Sequence, residues 1–152
     1  MNEEIKLSWK GKIHLSSSEL FVGRVVSKKT KNQEISIVLE GKDLKTNKFE
    51  LFYLNSADGV EGNSLYDIKD LNDIEVCDVI SIKKSKVRSV YRTQSKNNFI
   101  FATIRCNSNC LMCSQPPLDI DDTLENYLIW DYTIDLLVDS PKHLTITGGE
   151  PT

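Results

Sequence analysis

Arg105-Cys106-Asn107-Ser108-Asn109-Cys110-Leu111-Met112-Cys113-Ser114 sets three cysteines in one short stretch, spaced Cys-x3-Cys-x2-Cys. A loop with this spacing can wrap three thiolates around one small object, and no fourth cysteine lies near it in the chain. A structural metal site is normally closed by a full set of protein ligands, whereas a reactive one keeps a position open. Iron–sulfur cubanes usually take four cysteine thiolates, one per iron. Three thiolates on a cubane therefore leave one iron for a ligand that is not protein. An open iron is a place for chemistry.

Upstream of the cysteines, Phe99-Ile100-Phe101-Ala102-Thr103-Ile104 is an uninterrupted β-prone run, the pattern of a parallel strand buried on both faces. Downstream, the acidic Asp119-Ile120-Asp121-Asp122 leads into a helix. Asp122 is placed to cap it, and Glu125 completes a capping-box-like pair. Tyr127, Trp130, Ile134 and Leu137 recur at three- and four-residue steps and predict one core-facing stripe. Pro141 ends the helix. His143 opens a strand over residues 143–147 and is expected at the surface. That strand delivers Thr147-Gly148-Gly149-Glu150-Pro151-Thr152. Glycines let a main chain come close to a ligand without a Cβ in the way. An acidic side chain suits an ammonium group, and a strand end is where such sheets bind small molecules. The separation between cysteines and glycines fits a loop, a helix and a strand, since a βαβ unit takes about 30 residues.

The cysteine triad followed by Gly-Gly-Glu-Pro resembles the signature of the radical S-adenosylmethionine (SAM) enzymes. The fuller run from Arg105 through Cys113-Ser114-Gln115-Pro116-Pro117 is similar to the cluster loop of the His-Xaa-Ser system radical SAM maturases, peptide-modifying enzymes of bacteria. The resemblance covers residues 98–152. It implies that Cys106, Cys110 and Cys113 hold three irons of a [4Fe–4S] cluster while SAM chelates the fourth. It implies that Gly148, Gly149, Glu150 and Pro151 hold the methionine end of SAM. Met112, where many members carry an aromatic residue, would pack by the adenine through its polarizable thioether. The implied reaction makes a 5′-deoxyadenosyl radical that abstracts hydrogen from a ribosomally made His-Xaa-Ser peptide, and it assigns no side chain of this chain as acid or base. Besides the peptide substrate, the implied partners are a companion radical SAM maturase and an electron donor such as flavodoxin or ferredoxin. The implied fold class is α+β or α/β. A small antiparallel β-rich domain would occupy residues 1–97, followed at 98–152 by the first βαβ portion of a partial (β/α)6 barrel. Gly-Gly-Glu-Pro marks the end of the second strand in such a barrel. The sequence is therefore expected to be the N-terminal portion of a longer enzyme, inactive alone.

Residues 1–97 lack helical periodicity. Runs at 20–26 and 34–39 flank the lysine-rich, Asn32-containing segment and predict a hairpin. A third strand is expected at 49–54, and a second pair at 79–83 and 87–92 around Lys84-Ser85-Lys86. The stretch from Asn55 to Ser64 reads as a polar loop, Cys77 as a small buried strand residue, and Ser95-Lys96-Asn97-Asn98 as a linker. This part shows no chemistry, and its expected role is to dock a peptide along an open sheet edge.

With 39% hydrophobic and 27% charged residues, the composition is that of a soluble globular chain. A net charge of −3 makes no electrostatic case for nucleic acid. Met1-Asn2-Glu3-Glu4-Ile5-Lys6 has no apolar h-region, and no run approaches the roughly 18 apolar residues of a membrane span. Unpaired thiols and an oxygen-sensitive cluster suit a reducing cytoplasm. Two other readings stay open: a zinc site completed by Cys77 or His143, and a non-catalytic binding module carried by the β-rich front.

Overall fold

The computed structural model describes residues 8–10, 12–14, 20–55, 63–69, 71–84, 86–108, 110–113, 118–141 and 143–149. In chain order the elements are β1 (Ser8–Lys10), β2 (Lys12–His14), β3 (Phe21–Lys31), β4 (Glu34–Asp43), β5 (Phe49–Leu54) and β6 (Asn63–Tyr66). They continue with β7 (Val79–Lys83), β8 (Lys86–Tyr91), β9 (Asn98–Phe101), α1 (Thr123–Leu136) and β10 (Leu144–Thr147). Eight strands form one sheet in the order β1-β8-β7-β3-β4-β5-β6-β2, and β9 pairs separately with β10.

The described chain is therefore mostly β, which corrects the expected α+β or α/β class. The β9–β10 pair, with strands of 4 residues each, is not the opening of a partial (β/α)6 barrel. Apolar content misled the reading. Phe99, Ile100 and Phe101 are only half-buried, and most of β10 is exposed, so this pair is not an inner layer covered on both faces. The large sheet is also mixed rather than antiparallel, because β6, which begins within the stretch expected to be loop, runs parallel to β5.

The sheet's own order follows from turn chemistry and alternation. β3 and β4 pair antiparallel across Asn32-Gln33, whose φ angles of 51° and 67° suit a two-residue hairpin turn. The expected hairpin is present, but Lys28, Lys29, Thr30 and Lys31 extend β3 instead of forming the turn. A register shift between Val25 and Ser27 marks a bulge, which bends a strand and increases its twist. Gly23 and Gly41 face each other across the same pair. A Cβ on Gly41 would lie 2.0 Å from the Val22 carbonyl oxygen, so only glycine permits this curl. Inside the curl, Phe21, Val25, Ile37, Leu39, Phe52, Leu54, Leu65, Ile80, Ile82 and Val87 form one core. Ile68, Leu71 and Ile74, between β6 and β7, join it. The Phe21 and Phe52 rings meet at 5.1 Å.

Short N-terminal strands add to both ends of the strand order. β1 pairs with β8 and β2 with β6, yet Lys10 and Lys12 are only two residues apart, a reach of about 7 Å. β8 and β6 are thus each paired on by an N-terminal strand, and the outermost strands of the sheet are β1 and β2, of 3 residues each.

The helix α1 packs on the outer face of β3 and β7. Val22, Val79, Tyr91 and Tyr132 form a second cluster there, joined by Leu44, Val90, Ile129, Leu136 and Leu137. Tyr132 lies under the Lys42 ammonium at 4.1 Å and edge-on to Phe49 at 6.5 Å. Burial first, then Glu40 and Asp135, push its phenol up from the usual value. The stripe expected from the sequence is corrected. Trp130 is buried, but Tyr127 and Ile134 are 60% and 54% exposed. The covered face is built on Ile129, Tyr132, Thr133 and Leu136, and the Thr133 hydroxyl is satisfied by donating to the Ile129 carbonyl at 2.6 Å. Polar-tipped Tyr and Thr were the cue that a purely apolar count overlooks.

Two smaller expectations also change. Cys77 sits in a turn at φ 74°, before β7, and its N–H donates to the Val25 carbonyl at 2.9 Å. The segment expected to be a linker is tied down: Asn98 is buried, and its side chain accepts from the Arg92 N–H and donates to the Arg92 carbonyl. Among the described residues, no helix is long and apolar enough to cross a membrane.

Phe52 is fully buried at the centre of the curl. The Phe52→Ala chain is expected to lose about 3–5 kcal/mol in urea unfolding. A loss below about 1 kcal/mol would contradict this placement of the core.

Candidate cofactor site

Both motifs leave the small sheet at the same end. β9 and β10 run parallel in the register Leu144↔Asn98 to Thr147↔Phe101. The pairing continues past the strands, with Ala102 N–H donating to the Thr147 carbonyl at 2.8 Å and Gly149 N–H to the Thr103 carbonyl at 2.7 Å. The diglycine bend therefore lies on residues 103–106. Gly148 has φ 146°, and a Cβ there would sit 2.7 Å from the Thr103 oxygen. A Cβ on Gly149 would sit 1.9 Å from the Arg105 oxygen and 3.0 Å from the Cys106 Cβ. The absent Cβ atoms were expected to make room for a ligand. They also make room for the main chain of the cysteine loop itself.

The base of that loop is fastened by groups the sequence reading did not single out for this role. The Asp122 carboxylate accepts from the Thr103 hydroxyl at 2.6 Å, the Ile104 N–H at 2.9 Å and the Asn126 amide at 2.8 Å. Asp122 precedes α1 but its side chain makes no capping bond, which corrects the expected capping box. Its supposed partner Glu125 instead pairs with Lys83 at 2.6 Å. Thr103 relays the contact, its hydroxyl accepting from the Arg105 N–H at 3.0 Å. Arg105 and Leu118 form an isolated bridge, and Cys106 N–H donates to the Leu118 carbonyl at 3.0 Å, so the two ends of the loop are clamped together. Arg105 also reaches the exposed Asp119 at 3.1 Å. The signal for this base was present in the acidic run after the loop, but a carboxylate before a helix reads first as a cap.

Above the clamp the loop is open. Cys106 is half-buried, its sulfur accepting from the Ser108 N–H at 3.4 Å. Cys110 and Cys113 are exposed and linked by a turn, Cys113 N–H to Cys110 carbonyl at 3.1 Å. At the top of this turn Leu111 and Met112 are 104% and 98% exposed. Among the described residues, no three His, Cys, Asp or Glu side chains are gathered closely enough to hold a metal ion. The three thiols share one loop without meeting at one point, and neither Cys77 nor the exposed His143 closes a metal-binding group with them. Glu150 and Pro151 lie outside the described residues. The loop carries three sulfur donors, one short of the four that a cubane usually takes.

Compared with protein-family models, curated proteins and solved structures, the chain matches none.

Two outcomes follow from the geometry. Gly149→Ala is expected to lift the bend off Arg105 and to speed hydrogen exchange at the Cys106 amide several-fold or more. Unchanged exchange would show that the contact does not hold the loop. Burial alone would raise the Asp122 carboxyl, but hydrogen bonds from Thr103, Ile104 and Asn126 together outweigh it and hold its pKa below the usual range. A depressed carboxyl stabilises the fold above its unfolded pKa of about 3.9 and stops doing so as pH falls through the folded value. The stability gap between the native chain and Asp122→Asn should therefore be constant near neutral pH and shrink below about pH 4. A gap that widens on acidification would contradict the assignment.

Proposed function

We propose that this chain binds a [4Fe–4S] cluster through Cys106, Cys110 and Cys113, with SAM taking the iron they leave open, in the service of modifying a ribosomally made peptide. One observation carries the reading. Two motifs far apart in the chain come into backbone contact, Gly149 lying on Arg105 and beside Cys106. That contact supports the reading by bringing the diglycine main chain beside the first cysteine of the triad.

The residues divide the work between a fixed base and a free rim. Asp122, Thr103 and the Arg105–Leu118 bridge hold Cys106 in place. Cys110 and Cys113 sit on the exposed turn and would complete the thiolate set with Cys106. The main chain at Gly148 and Gly149 receives the amino acid end of SAM, and Met112 is free to cover the adenine. Held by Cys106, Cys110 and Cys113 and reduced by a flavodoxin- or ferredoxin-type donor, a cluster with SAM would supply one-electron reductive cleavage of the SAM carbon–sulfur bond and, through it, hydrogen abstraction from the peptide. The peptide assignment, and a companion maturase acting with this chain, rest on the likeness of the loop ending Ser114-Gln115-Pro116-Pro117 to the His-Xaa-Ser maturases.

The test is anaerobic reconstitution with iron and sulfide, followed by metal analysis and electron paramagnetic resonance of the reduced protein. A cubane signal that shifts on adding SAM is expected. Alanine at any one of Cys106, Cys110 or Cys113 should abolish it, while Met112→Ala keeps the cluster. Zinc retained without iron or sulfide, or a cubane signal indifferent to SAM, would overturn the proposal.

A further inference from the structure

We infer that the groove between the β7–β8 hairpin and the β9–α1 segment is a docking site for an extended acidic peptide whose carboxylates alternate with bulky apolar side chains. The inward residues Ile80, Ile82 and Val87 of the hairpin alternate with outward ones, of which Lys83, Lys86 and Arg88 are basic while Val79 and Val90 pack toward α1. Lys83 faces Lys86 across the strands and Ser81 faces Arg88. A cavity of about 470 Å³ lies between this face and Phe99, Phe101 and Trp130. A second, of about 300 Å³, continues it past Lys84 toward Glu125. The two share Ser81, Lys86, Arg88 and Ile129, so they form one groove with a cationic wall and an apolar, aromatic wall.

Charge complementarity names the occupant. Lys83 is committed to Glu125. Lys86 and Arg88 are exposed and make no ion pair or side-chain hydrogen bond among the described residues, although the whole chain is net acidic. An extended peptide turns successive side chains to opposite sides. Its carboxylates would meet Lys86 and Arg88 while its apolar side chains meet Phe99, Phe101 and Trp130. Recognition is by side chains, since β8 already gives its edge to β1. Lys86 and Arg88 lie two positions apart on β8, the spacing at which carboxylates repeat along an extended peptide of alternating side chains.

The experiment follows the fluorescence anisotropy of a labelled peptide of alternating Glu and Leu on titration with the chain. Saturable binding is expected, weakened at least about tenfold in K86E/R88E. K29E/K31E makes the same change of net charge on β3, outside the groove, and should weaken binding less than about twofold. The milder K86Q/R88Q, with a loss of about threefold, keeps the test open should charge reversal unfold the chain. Replacing all three loop cysteines by alanine should leave peptide binding unchanged, so this inference and the cluster proposal fail separately. Equal weakening by both charge-reversal pairs, absence of saturation, or tighter binding of an oligothymidylate would overturn it.

Discussion

The Asp122 carboxylate is the constraint on which the distal part of the fold depends. It is the point where a strand end, a helix start and the base of the cysteine loop share one set of hydrogen bonds. Each of those bonds is short and involves an ionised acceptor, the kind roughly twice as strong as a neutral one. Without it, Thr103 and Ile104 would be released together, and with them the alignment of the cysteine loop on α1. The helix is in turn fixed to the large sheet through Tyr132, Lys42 and Phe49 and through the Lys83–Glu125 pair. A continuous path of packing and polar contact thus runs from the Phe21–Phe52 core outward to the first cysteine.

The site combines stiffness and freedom in a definite order along the chain. Cys106 sits at the fixed end and Cys110 and Cys113 at the free end, with Leu111 and Met112 between them in solvent. Two large apolar residues held in water are unfavourable by themselves, since burying each is worth about 1.5–3 kcal/mol. A ligand that covers them recovers that energy.

Much of the large sheet was legible, and for stated reasons. The β3–β4 and β7–β8 hairpins and the extent of β5 follow from β-prone runs broken by Asn, Lys and Ser. What was not legible is non-local. β6 joins β5 in parallel across a polar stretch, and no periodicity marks a strand of 4 residues. The half-buried state of Phe99 to Phe101 depends on which surfaces meet them, which an apolar run does not state. In the site, the three cysteines and two glycines stood out by residue type. Asp122 did not, because its partners Thr103 and Ile104 lie 19 and 18 residues away and a carboxylate beside a helix has a commoner local explanation.

The clamp formed by Arg105 and Leu118 has a mechanical consequence. A loop whose feet are already joined has paid most of its closure entropy, and that term grows only slowly with length. Rearranging its crest then leaves both feet, and the sheet beneath them, undisturbed. By this entropy argument, changes in the length or chemistry of the crest should cost the scaffold little.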